Sequence, residues 1–225
     1  MKAIILAAGE GMRMRPLTLK TPKPLLKINE RPILDHIFEA LPEEITDVVV
    51  IVKYLGEQIK EYLGTTHRGK RVHYAEGSEK GTAYSLKAAE KFLSDAERFL
   101  FLYGDELPYR ENIEKCLAHP LSILSFKSAT PETGGVALLR GDGTIVEIEE
   151  KPAKPKSNIV ADGIMVLDKS VLGYSPLSNS KGEFYLTSML NQFVKDRSVR
   201  AVLSDKFVGD ITTPEDLKRI EKLLS

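Results

Sequence analysis

At 225 residues, with 42% hydrophobic and 28% charged side chains, the sequence has an ordinary globular mixture and enough length to close one core, so a single domain over residues 1–225 is expected. Lys plus Arg and Asp plus Glu both number 32, and a formal net charge of zero excludes a global field that would draw the chain to nucleic acid or to an anionic membrane. The lone Cys116 excludes an intrachain disulfide and a cysteine-based zinc site, and suits a reducing, cytoplasmic setting.

The chain begins with an apolar run over residues 3–8 that Gly9-Glu10 closes, too short for the apolar core of a secretory signal, so it reads as a strand. No apolar stretch is long enough for a membrane span. Directly after the strand come Gly9-Glu10-Gly11-Met12-Arg13-Met14-Arg15-Pro16-Leu17-Thr18 and then Thr21-Pro22-Lys23-Pro24-Leu25. Two glycines let the backbone turn sharply and bring N–H groups up to an anion, and Arg13, Arg15 and Lys23 follow to neutralise it. That grouping suits a polyphosphate. Met14 stands where a dinucleotide fingerprint needs its third glycine, and the Gly-Lys-Ser/Thr of a P-loop is missing from the run. A near match at residues 64–71 ends in Arg71, which has no hydroxyl for magnesium, and it reads as a solvated turn.

Farther along, apolar strand patterns at 47–52, 71–75 and 99–103 alternate with helical patterns at 32–41, 57–63 and 82–93. This alternation predicts an α/β fold, a Rossmann-like and mostly parallel sheet with helices on both faces. Ligands of such sheets lie at the carboxyl ends of the strands, where the glycine loop and Gly104-Asp105 both fall. Beyond residue 107 the rhythm becomes strand-rich, at 121–126, 136–139, 144–149 and 164–167, before helices at 186–195 and 214–224. No repeat and no long Gly/Ser/Pro linker is visible.

Leu6-Ala7-Ala8-Gly9-x-Gly11-x-Arg13-x-Arg15-Pro16-Leu17-Thr18 with Pro22-Lys23-Pro24-Leu25 resembles the signature of the sugar-1-phosphate nucleotidylyltransferases, or NDP-sugar pyrophosphorylases. The resemblance continues in order through Gly81-Thr82-Ala83, Gly104-Asp105, Gly134-Gly135-Val136, Glu149-Glu150-Lys151-Pro152, Gly182-Glu183-x-Tyr185-Leu186-Thr187 and Asp210-Ile211-x-Thr213-Pro214-Glu215-Asp216-Leu217. It implies a nucleotide-diphospho-sugar transferase-like fold, with residues 1–107 binding nucleotide and residues 108–225 forming a β-rich sugar lobe and closing helices. Nothing after Leu224 supplies the left-handed β-helix of longer members, so a short form is expected.

The implied reaction joins a nucleoside triphosphate to a sugar 1-phosphate and releases pyrophosphate. The attacking phosphate is already ionised at neutral pH, so the protein must supply alignment and charge neutralisation rather than a base. Magnesium is the implied cofactor, held by one or two carboxylates plus substrate phosphates. Asp105, at the end of an apolar strand beside Gly104, and Asp210, ahead of the helix that Thr213-Pro214-Glu215 starts, fit that need. By resemblance, Arg13 and Lys23 act with Asp105 in catalysis, and Leu6, Ala7, Ala8, Gly9, Gly11, Met12, Gly81 and Thr82 join them around the nucleotide. Gly135, Glu150, Lys151, Asp162, Gly163 and Glu183 are the implied sugar-phosphate residues.

Three departures bear on substrate. Met12 replaces a usual Thr in the loop, Val208 a frequent aromatic, and Ala161 an Asn that binds sugar in many members, with Asp162 a candidate to compensate. Glu76 stands where thymidylyl and uridylyl members tend to carry Gln. An ionised carboxylate only accepts, which suits the N1–H and N2–H₂ of guanine and points to GTP, as in a mannose- or heptose-1-phosphate guanylyltransferase. The alternatives are a thymidylyl- or uridylyltransferase of a hexose 1-phosphate, or a cytidylyltransferase acting on a non-sugar phosphate such as phosphocholine. Histidines 36, 67, 73 and 119 lack metal spacing and carry no assigned chemistry.

Overall fold

A computed structural model describes residues 1–94, 97–179, 182–207, 209 and 211–224. Strand β1 (Lys2–Ala7) turns Ala3, Ile5 and Ala7 to one core and Ile4 and Leu6 to another, as the two-residue period of a strand requires. A strand apolar on both faces belongs in the middle of a layered sheet. Three short 3₁₀ turns at Met12–Met14, Leu17–Leu19 and Lys23–Leu25 follow, then a small hairpin of β2 (Lys27–Ile28) and β3 (Arg31–Pro32). Strand and helix then alternate through α1 (Ile33–Ala40), β4 (Asp47–Val52), α2 (Gly56–Leu63), β5 (Thr66–His67), β6 (Lys70–Glu76), α3 (Thr82–Lys87) and β7 (Arg98–Tyr103). The remaining elements are α4 (Arg110–Leu117), β8 (Ser122–Lys127), β9 (Gly135–Leu139), β10 (Ile145–Glu150), β11 (Ile159–Asp168), α5 (Leu186–Asp196), β12 (Arg200–Leu203) and α6 (Pro214–Leu223).

The main sheet runs β10-β9-β11-β7-β1-β4-β6-β5, with β8 pairing β11 and β12 pairing β8. Strands β7, β1, β4 and β6 are parallel neighbours, in register Lys2↔Phe99, Lys2↔Asp47 and Asp47↔Arg71. Strand β11 runs antiparallel to β7, β8 and β9 and so carries the sheet into the strand-rich half. Helices cover both faces. Ile33 and Ile37 of α1, Ile59 of α2, Ile113 of α4 and Ile220 of α6 fill one core, and Leu86 of α3 with Leu190 and Phe193 of α5 fill the other. This is the expected Rossmann-like α/β architecture. Its parallel strands bring the loops after Ala7, Val52, Glu76 and Tyr103 to one edge.

Several local expectations need correction. The helix expected over 82–93 stops at Lys87 and tightens into a 3₁₀ turn at Glu90–Phe92. Residues 64–71 are largely solvent-exposed, as expected, and form the turn and short strands of the β5–β6 hairpin, in which Lys70 is buried and donates to the carbonyls of Pro42 and Ile45. Helix α4 escaped notice because its buried face includes Asn112, which donates to Lys206 C=O and accepts from Ser204 Oγ. Asp162-Gly163 lies inside β11 at a register shift between Ala161 and Met165, whereas the strand was expected to span only 164–167. Among the described residues no helix is long and apolar enough to cross a membrane.

Candidate active site

The glycine loop leaves the end of β1 at the carboxyl edge and is shaped by Gly11. Its φ of 61° lies in the left-handed region, and a Cβ there would stand 3.1 Å from Thr18 Cγ2 and 3.3 Å from Lys23 Cβ. Thr18 Oγ1 donates to Gly11 C=O at 2.8 Å, and Tyr54, from the loop after β4, donates to Thr18 C=O at 2.8 Å. Met14 N–H closes back on Gly11 C=O, and Met14 itself is buried as the anchor of the loop. Glu10 pairs with Arg15 at 3.4 Å between two exposed side chains, which marks Arg15 as a rim charge.

The first 3₁₀ residue after Pro22 is Lys23, and its ammonium meets the Asp105 carboxylate at 2.5 Å. This contact joins residues 82 positions apart, one from the loop after β1 and one from the end of β7. Lys23 is 12% exposed and Asp105 42%, so the cation is packed and the acid opens onto the crevice. Gly104 lets the end of β7 lie close against β1, because a Cβ there would stand 3.0 Å from both Ala7 Cβ and the Leu6 carbonyl oxygen. The crevice has a volume of about 1080 Å³, and Leu6, Ala7, Ala8, Gly9, Gly11, Met12, Arg13, Lys23, Thr82, Asp105 and Glu183 all line it. Twelve sequence-distant expectations of the nucleotide side thus reduce to two exceptions, Glu76 and Gly81, which are absent from that lining.

Glu76 is exposed at the end of β6, and its charge acts on Lys60 of α2. The carboxylate that lines the crevice from this segment is Glu79, paired with Lys53 at 2.9 Å. Gly81 has another task. With φ 121° it lies against the backbone of Phe184, whose oxygen would be 2.6 Å from a Cβ at 81. Ala83 N–H donates to Phe184 C=O, Phe184 N–H to Lys80 C=O, and Leu186 N–H to Thr82 Oγ1. The Gly-Thr-Ala and Gly-Glu-Phe-Tyr-Leu-Thr strings are therefore one joint that couples the start of α3 to the start of α5.

On the other side of the crevice the expected sugar-phosphate residues divide. Glu183 faces the crevice and accepts from Tyr185 hydroxyl at 2.7 Å. Glu150 and Lys151 line a neighbouring cavity of about 570 Å³ with Tyr185 and Thr187. Thr187 Oγ1 donates to Glu150 at 2.6 Å, and Lys151, 58% exposed, lies 3.8 Å from Glu150. Lys151 holds φ 45° while its N–H donates to Gly134 C=O, so its backbone is fixed, and its ammonium lies 5.9 Å from the centre of the Tyr185 ring. Gly135 pairs with Glu150 across β9 and β10. Asp162 accepts from Gly163 N–H, and a Cβ at Gly163 would overlap the Glu106 carboxylate.

Tyr103 and Glu106 flank Asp105 and were not anticipated, nor were Lys53, Tyr54, Glu79 and Thr212 on the crevice wall. The Tyr103 hydroxyl is pushed well above its usual range by burial and by the charges of Glu106, Glu150, Asp105 and Asp162. It stays a neutral donor amid four acids, in a field that favours a cation. Among the described residues no group of three or more His, Cys, Asp or Glu could hold a metal alone. A solvent-facing Asp105 instead fits a divalent ion that takes most of its oxygens from phosphates and water. Asp210, the second expected ligand, and Val208 lie outside the described residues.

A glycine-turned loop, a lysine and an acid converge at the carboxyl edge of a Rossmann-like sheet. The family model for nucleotidyl transferases matches residues 2–224, and the chain belongs to that family. It is 31% identical over 226 residues to the bifunctional protein GlmU of Methanocaldococcus jannaschii, covering all of this chain and 54% of that protein. It is 29% identical to a UTP–glucose-1-phosphate uridylyltransferase, AglF, of Haloferax volcanii, covering 100% of this chain and 96% of that one. A crystal structure from Bacillus anthracis, provisionally named a glucose-1-phosphate thymidylyltransferase and solved with sucrose, superposes with a TM-score of 0.86 at 29% identity, covering 99% and 94% of the two chains. The chain spans about half the length of the first GlmU relatives it matches.

Proposed function

We propose that this chain transfers a nucleotidyl group from a nucleoside triphosphate to a sugar 1-phosphate, by in-line displacement of pyrophosphate. The observation that carries the reading is the Lys23–Asp105 contact at the mouth of the Gly9–Gly11 loop, which sets a cation and a metal-competent acid side by side where phosphates would lie. Lys23 and Arg13 hold the triphosphate and stabilise charge that builds as pyrophosphate leaves. Asp105, with Asp210 as the second acid expected from sequence, would hold magnesium, which would supply further neutralisation of the phosphates when bound. Glu183 orients the acceptor sugar from the crevice wall, and Lys151 reaches its phosphate from the neighbouring cavity. The protein needs no base of its own, because the acceptor oxygen arrives ionised.

Guanosine triphosphate is the first reading for the donor, on the acid Glu76 at the end of β6. A uridylyl or thymidylyl donor is the second reading, supported by the names of the Haloferax relative and the Bacillus structure. Turnover measured against magnesium concentration tests the metal role. The parent should lose activity in EDTA and recover it with magnesium, and Asp105→Asn should lose at least about a hundredfold in kcat at every magnesium level. Parental turnover in Asp105→Asn, or activity untouched by EDTA, would contradict the assignment.

A further inference from the structure

The five methionines of the chain meet very different surroundings. Met14, Met165 and Met189 are buried, and Met1 packs partly buried against the core. Met12 is 67% exposed, the most open large hydrophobic side chain among the described residues. It stands in the phosphate loop.

The loop holds this side chain at the mouth of the crevice. Gly11 C=O accepts from Met14 N–H and from Thr18 Oγ1, each at 2.8 Å, and Met12 C=O accepts from Arg15 N–H at 3.2 Å. The thioether thus has a fixed root in the 3₁₀ turn, and it lines the crevice with Gly9, Gly11, Arg13 and Lys23. A thioether is a weak acceptor and sets no charge against a triphosphate there. Its sulfoxide would be polar, with a dipolar S–O bond whose oxygen accepts hydrogen bonds.

We propose that Met12 is a redox modification site: hydroperoxides oxidise it to the sulfoxide, which weakens nucleotide binding until the sulfoxide is reduced. The sulfur attacks the terminal oxygen of the hydroperoxide. The S–O bond forms as the O–O bond breaks, sulfur gives up two electrons, and the proton passes to the departing oxygen, which leaves as water or an alcohol. A dithiol reductant working through a methionine sulfoxide reductase reverses the step, becoming a disulfide while the oxygen leaves as water. The sulfoxide oxygen brings partial negative charge to the loop, so it repels the phosphates and competes with them for the N–H donors of Arg13 and Lys23. Thiol oxidation does not compete. Cys116 is buried, and burial pushes its thiol up to about 12, so almost none of it is the reactive thiolate near neutral pH.

This inference rests on the reading of the loop as the nucleotide site, and the test keeps the two apart. The native protein is exposed to hydrogen peroxide, with and without magnesium and each of GTP, UTP, dTTP and CTP. Oxidised residues are mapped by peptide mass spectrometry, and nucleotide binding and pyrophosphate release are measured on the same samples. Met12 should gain one oxygen at least about tenfold faster than Met14, Met165 or Met189, and a bound nucleotide should slow it. The Kd and KM for nucleotide should rise at least about fivefold in step with that oxidation and recover with methionine sulfoxide reductase and dithiothreitol. Met12→Leu should keep its own untreated activity and affinity through the same exposure. Oxidation falling first on a buried methionine or on Cys116 overturns the proposal, as does a loss that persists in Met12→Leu. Complete oxidation at Met12 with unchanged nucleotide binding also overturns it. A protein that turns over no nucleotide refutes nucleotidyl transfer, while the mapped oxidation and the binding measurement still decide the role of Met12.

Discussion

Replacing Lys23 with methionine removes one charge and keeps nearly all of the packed stem. The stem matters because the Lys23 side chain is only 12% exposed, so a shorter residue would leave a gap beside the loop as well as discharge it. The lost ion pair costs little stability: Asp105 is 42% exposed, and a solvent-screened pair of this kind contributes about 1 kcal/mol or less. For a chain of this size that is a fall in Tm of roughly 2 to 4 °C. Catalysis should suffer far more. A preorganised charged donor at a site of developing phosphate charge contributes about 3 to 4 kcal/mol, or roughly a hundred- to a thousandfold in kcat. Steady-state pyrophosphate release and thermal unfolding, measured on the same preparation, separate the two effects. A kcat within about threefold of the parent would refute the role given to Lys23, as would a loss of activity that merely follows a large fall in Tm.

Arg13→Ala should lower kcat more than it raises KM for the nucleotide, whereas Lys151→Ala should chiefly raise KM for the sugar phosphate; equal effects on both substrates in both variants would contradict that division. Gly81→Ala sets a side chain against the Phe184 backbone at a left-handed φ, and should cost about 2 to 4 kcal/mol in denaturant unfolding, with a near-parental midpoint as the opposing result. Asp47 is held well below the usual carboxylate range, first by Arg71, against the effect of burial, with Thr46 and His73 adding to it. Its folded value is depressed, so its stabilisation is full above the unfolded value near pH 4 and is lost as pH falls below that. Asp47→Asn should therefore cost about 1 to 2 kcal/mol at pH 7, with the gap to the parent closing below pH 4; a gap constant with pH would count against it. Burial pushes the Cys116 thiol up to about 12, so a thiol reagent at pH 8 should leave the native protein unlabelled and take up one equivalent after denaturation, and rapid native labelling would disprove the burial.

The parallel half of the fold was legible because its strands are apolar on both faces and bounded by helical periods, as in the 47–52 run that became β4. The strand-rich half was less so. Asn112 hides the core face of α4, and the strand expected at 164–167 is the later part of β11, whose irregular middle is Asp162-Gly163. The phosphate side of the site could be placed from the order of glycines and cations alone, since the carboxyl edge of a parallel sheet fixes where such a loop must lie. Base and sugar contacts could not be placed in this way. Glu76 ends β6 and Glu79 lies three positions beyond it, a spacing from which no local pattern tells which of them lines the crevice. Gly81-Thr82-Ala83 was legible as a motif but not as a joint, because its partner Phe184 is more than a hundred residues away. The separation of Lys151 from the crevice likewise depends on the course of β10 and α5, which no local pattern records.

The account is tested most directly by incubating the protein with magnesium, each of the four nucleoside triphosphates and a panel of sugar 1-phosphates, and measuring pyrophosphate and nucleotide-sugar together. It predicts that both products form in equal amounts, only when a sugar 1-phosphate is present, and fastest with GTP. Pyrophosphate released without an acceptor, or no product from any nucleotide and sugar 1-phosphate pair, would contradict it.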